Sequence, residues 1–149
     1  MLLQCESEKS TLSYQLLLRR QLKFIVTPNY RNRIGAVSKS ICALTQIIAY
    51  LSDDESALLS SYYSTLLNND ISDMTKFWND EDGILPLFAK IEKAYMQINL
   101  HEYDDFKAMR FRRTLIANID DEEFIMRKFN FTRYQTSALL NFCRNIYLV

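Results

Sequence analysis

The sequence predicts an all-α fold: a compact single-domain bundle of about seven to eight helices with short loops. Three observations lead there. First, 149 residues hold only 2 Gly and 2 Pro, where average usage would give about ten and seven. A chain so short of Gly builds few tight turns or phosphate-cradling loops, which argues against Rossmann, P-loop and many-turned β folds. Second, apolar residues recur at helical spacing through most of the chain. Third, Ser, Thr, Asn and Asp punctuate those stretches as helix caps. With 48% hydrophobic residues, a chain of this length has apolar surface enough for a sizeable core. Residues 1–149 therefore read as one helical domain, with 1–10 as a candidate flexible lead.

The elements follow in order. Thr11–Val26 opens after the polar Glu6–Ser10, with Ser10 as cap and Pro28 beyond its end. It carries Leu12, Leu16, Leu17, Leu18, Leu22, Phe24 and Ile25 around most of its circumference, with Arg19, Arg20 and Lys23 clustered on part of it. Tyr30–Leu51 shows the clearest stripe, Ile34, Val37, Ile41, Leu44, Ile47, Ile48 and Leu51. Ser52-Asp-Asp-Glu55 is a capping box for a helix to about Leu67. A short helix, Ile71–Trp78, precedes the loop Asn79–Gly83. The next helix opens near Leu85, with Pro86 in its first turn. His101–Tyr103 breaks the chain and Asp104 caps the following helix. Asp120-Asp121-Glu122-Glu123 starts another, ending near Phe129. Thr132-Arg-Tyr-Gln135 is a capping box for the last.

Charge is unevenly spread, although 18 basic and 18 acidic residues cancel. Residues 1–50 carry +5, 51–105 carry −9, and 106–149 carry +4. Salt bridging between the acidic middle and the basic ends is the expected use of that partition. A basic contact surface is the sharper reading. Lys107, Arg110 and Arg113 form a candidate ridge for nucleic acid or an acidic partner.

Catalytic patterns are missing. No GxSxG, HExxH, CxxC or GxxxxGK[ST] occurs. The single histidine, His101, lies at a predicted break without an adjacent nucleophile. Counting Gly83 as the sixth position of an EF-hand loop puts Trp78 first and Ala89 twelfth, neither a ligand. Glu102 and Asp105 form a carboxylate pair, but no Glu-x-x-His accompanies it. The chain reads as non-enzymatic, with no cofactor and no metal. Three scattered Cys, the absence of a signal-peptide pattern and the lack of a spanning apolar run favour an intracellular protein with no membrane segment.

The stretch Ile125 to Asn141 resembles the helix-turn-helix of DNA-binding regulators. Asn130 stands at the usual Gly, Phe131 at the apolar turn position and Thr132 at the second helix's cap. Ile125, Phe129 and Leu139 match buried positions. Met126 replaces the usual small residue and Thr136 the usual β-branched aliphatic. The resemblance implies base contacts by Arg133, Gln135, Thr136 and Asn141.

The aromatic load, nine Tyr, nine Phe and one Trp, suggests interface use. Tyr62, Tyr63, Phe77 and Trp78 form a candidate partner groove. The leading expectation is a helical interaction module, an adaptor or small subunit that takes a protein partner. Nucleic-acid binding is the alternative.

Overall fold

A computed structural model describes residues 34–68, 77 and 83–147. Among them are six α-helices and no strand: α1 (Ile34–Ile48), α2 (Asp53–Leu67), α3 (Ile84–Met96), α4 (Asp105–Ala117), α5 (Glu122–Phe129) and α6 (Arg133–Tyr147), with a 3-10 turn at Leu100–Glu102. The fold is the expected helical bundle, with fewer helices than the seven or eight expected. The helices read at Thr11–Val26 and Ile71–Trp78, and the lead 1–10, lie outside the described residues, Phe77 excepted.

The caps form as their chemistry dictates. Glu55 N donates to Ser52 Oγ at 3.1 Å and Ser52 N donates to Glu55 Oε1 at 3.0 Å, the reciprocal capping box. Lys107 N donates to the Asp104 carboxylate and Phe124 N to that of Asp121. Asn130 ends α5 in the left-handed region, φ 54° and ψ 44°, so that Phe131 N donates back to Met126 O at 2.9 Å. Thr132 and Gln135 make the second reciprocal box.

α6 packs along α2, and α1 packs along α4. α1 is the hub, with α3, α4, α6 and the 3-10 turn all against it. Buried polar pairs fix the registers. Ser60 Oγ and Ser137 Oγ lie 2.6 Å apart, and Asn145 Nδ2 donates to Tyr63 O at 2.9 Å. Tyr95 donates to Ser40 Oγ at 2.6 Å, pinning α3 to α1. Each such bond satisfies a group that would otherwise be stranded from water, and so selects one packing over its neighbours.

The expected aromatic groove is instead core. Tyr62, Tyr63 and Phe77 are buried. Tyr62 meets Phe77 and Phe88 edge-on, with centroids at 5.6 and 4.9 Å, and Tyr63 tilts on Phe142 at 5.2 Å. Rings at these spacings prefer one another to solvent once α2, α3 and α6 converge on them. Trp78 lies outside the described residues.

Candidate functional site

α1 is buried around most of its circumference, and its open stripe is short. Cys42 is half-buried and Gln46 exposed, and Ala49 and Tyr50, in the turn that continues from the helix's end, are exposed. Cys42, Gln46 and Ala49 stand at i, i+4 and i+7, one line along a helix. Two of the three are small, so α1 leaves a trough where the 3-10 turn, α4 and α5 flank it. The trough has a volume of about 600 Å³, within the roughly 300–1,000 Å³ of ligand clefts.

Its floor and far wall are apolar. Cys42, Ala49, Ala108, Phe111, Phe129 and Phe131 line it. The three Phe rings form a ladder, Phe111 to Phe129 at 5.4 Å and Phe129 to Phe131 at 5.5 Å. Glu102, Asp104 and Lys107 line its polar side. Gln46 is the pivot of this surface: it accepts from the Tyr103 hydroxyl at 2.8 Å and also borders a second depression of about 260 Å³ with Tyr50, Leu51, Ala94 and Ile98. Tyr50, at its edge, is 87% exposed.

The thiols are poor nucleophiles. Burial pushes Cys42 up to about 11 and Cys143 up to about 12. Tyr63 rises further for the same reason. Among the described residues no group of three or more His, Cys, Asp and Glu could hold a metal, and His101 is exposed on the 3-10 turn. Asp105, the partner expected for Glu102, pairs with Lys39 on α1.

The predicted basic ridge divides. Arg110 and Arg113 share the outer face of α4 with Phe106, which is 78% exposed. Phe106, Arg110 and Arg113 fall at i, i+4 and i+7, opposite the buried Ala108 and Leu115. Lys107 turns toward the trough instead. Among the described residues Lys107, Arg110 and Arg113 form no close ion pair, but after the Lys107 amide the charges of Lys107 and Arg110 help to hold the Asp104 carboxyl below its usual range, and Lys39 bridges to the acidic middle at Asp105.

The helix-turn-helix expectation fails at its reading face. Arg133 is exposed, but Gln135 and Thr136 are buried. Gln135 Nε2 donates to the carbonyls of Ile48, Ala49 and Leu51 at 3.1–3.4 Å, and Thr136 donates to Thr132 O. Asn141 is half-buried and donates to Ser60. α6 is a central helix held by α2 and α1. Of the four base-contacting residues that the resemblance implies, it leaves Arg133 alone exposed.

The trough residues Cys42, Gln46 and Ala49 were not anticipated from sequence. Their signal was present: small or polar residues at i, i+4 and i+7 beside the apolar stripe of the helix. No helix among the described residues is long and apolar enough to cross a membrane. No protein-family model, curated protein or solved structure matches this chain, so the functional reading rests on the trough and the surfaces around it.

Proposed function

We propose that this chain is a non-enzymatic helical interaction module, an adaptor or small subunit, that takes a helical segment of a partner protein in the trough between α1 and α4. The observation that supports the reading is the Phe111–Phe129–Phe131 ladder lining one open cleft with the small residues Cys42 of α1 and Ala49 just past its end. Apolar side chains from a partner would be desolvated there, while Gln46, Tyr103 and Lys107 supply a polar edge, the anatomy of a helix-in-groove contact. Cys42 and Cys143 are free thiols, which supports a reducing, intracellular setting.

Filling the trough tests this. Ala49→Trp places an indole in the cleft from an exposed position. The tagged wild type and variant are compared by quantitative mass spectrometry of what each retains from native lysate, with circular dichroism as the folding control. The reading expects a specific set lost from a folded Ala49→Trp. Identical retained sets would count against it.

A second reading, nucleic-acid binding, is supported by the outer face of α4. Arg110 and Arg113 stand exposed beside Phe106, cations next to a stacking surface. Binding there would weaken steeply with salt and vanish in Arg110→Ala with Arg113→Ala. Equal binding of single-stranded and duplex probes by that variant would remove this reading.

A further inference from the structure

We propose that the trough is occupied, in the free chain, by the chain's own residues 11–26, which a partner must displace. The proposal rests on the trough being the docking face, and three observations point to this occupant.

The first is chemistry. Residues 11–26 carry six Leu, Phe and Ile side chains beyond Leu12, and so much apolar surface is costly to leave in water. The trough offers an apolar ladder facing small residues, a shape that takes large aliphatic side chains. The second is charge. Arg19, Arg20 and Lys23 accompany those leucines, and the trough's edge holds Glu102 and Asp104 against the single cation Lys107, a net negative rim with neither carboxylate in a close ion pair among the described residues. The third is reach. The α4 end of the trough lies beside the start of α1: Asp105 pairs with Lys39 and approaches Gly35. Residues 27–33 can span up to about 25 Å, whereas Cys42 lies about 12 Å along α1 from Ile34. A segment tethered this closely has a high effective concentration at the cleft.

Such an arrangement makes the module self-covering. A partner helix competes with an intramolecular segment, so partner affinity is reduced by the fraction of chains whose trough is filled. Loosening residues 11–26 raises partner affinity, whereas filling the trough abolishes both contacts.

Cys42 on the trough wall is a native reporter. In the full-length chain, its alkylation by N-ethylmaleimide is followed at one pH by mass spectrometry of the Cys42 peptide. The proposal expects slow labelling in the wild type and at least tenfold faster labelling in Leu18→Asp with Leu22→Asp. Arg19→Glu should raise the rate at low salt, and Glu102→Lys added to Arg19→Glu should restore protection. Equal rates within twofold in the wild type and the leucine variant overturn the proposal. If the leucine variant does not fold, a second measurement decides. In a Cys5→Ser chain, Leu18→Cys should be joined to Cys42 within one chain by a short bismaleimide. A link only between chains means that a second copy fills the trough, and no link means that residues 11–26 do not; either overturns the proposal. Both outcomes leave the Ala49→Trp comparison standing, so failure here is distinguishable from failure of the docking reading.

Discussion

The side-chain amide of Gln135 donates to the main-chain carbonyl of Leu51 at 3.1 Å. The same nitrogen reaches Ile48 O and Ala49 O, while its Oε1 accepts from Thr132 N. One residue therefore caps the start of α6 and the end of α1 together. The last carbonyls of a helix lack intrahelical donors, and here the donor comes from a helix far along the chain.

Removing that amide strands several buried backbone groups. Gln135→Ala is expected to cost about 2 kcal/mol, the scale of leaving buried polar groups unpaired, measured by urea unfolding. Gln135→Glu sets a carboxylate against three carbonyl oxygens. Its folded-state pKa is raised, so the variant should lose stability progressively as pH rises above the unfolded carboxyl value of about 4.3. A flat difference from the wild type above that value would contradict the geometry.

The Tyr62 and Tyr63 rings are core, so their truncation should unfold the protein rather than weaken a contact. Tyr62→Ala is expected to cost about 3–5 kcal/mol and to lower the thermal midpoint. A variant that kept wild-type stability and lost only a partner would restore the surface reading of these residues.

Asn130 occupies the left-handed region. Asn130→Gly should be neutral or stabilising, because Gly adopts that conformation without a Cβ clash. Asn130→Val should cost about 1–2 kcal/mol. Equal melting curves for the two variants would mean that the α5–α6 turn is not built this way in solution.

Glu55 is held below its ordinary 4.5, first by the Ser52 amide and then by Lys90. A depressed carboxyl stabilises the fold above its unfolded pKa, and that contribution is lost as pH falls through the folded value. The wild-type advantage over Glu55→Gln should therefore shrink between pH 6 and pH 3, from about half a kcal/mol, the scale of a solvent-screened pair. Paired urea titrations at both pH values check it; an advantage that grows on acidification has the wrong sign.

Local chemistry was the most legible part of this chain. Ser52 with Glu55, Thr132 with Gln135, and Asn130 after Phe129 each need only residues within a few positions, and each forms as read. The stripe of α1 was readable as well, since period and burial coincide there. What failed depended on distant partners. Gln135 reads as a free base-contacting side chain until α1 supplies its carbonyls, which lie 84–87 positions away. Tyr62 and Tyr63 are indistinguishable from interface tyrosines until Phe88 and Phe142 close over them. Lys107 and Arg110 read as one ridge, but three residues of helical rotation leave them about 60° apart around α4, enough to set one at the trough and the other outward. The trough itself arises from four packed elements, α1, the 3-10 turn, α4 and α5, and no single stretch of sequence contains it.

The docking claim is tested most directly by a photo-crosslinking amino acid at Gln46, the residue shared by the trough and its neighbouring depression, against the same group at Arg113 on the outer face of α4. In cells, the Gln46 probe should yield a discrete adduct with a partner segment, or with residues 11–26 of the same chain, that the Arg113 probe does not. Adducts identical at both positions, or none at Gln46, would contradict the account.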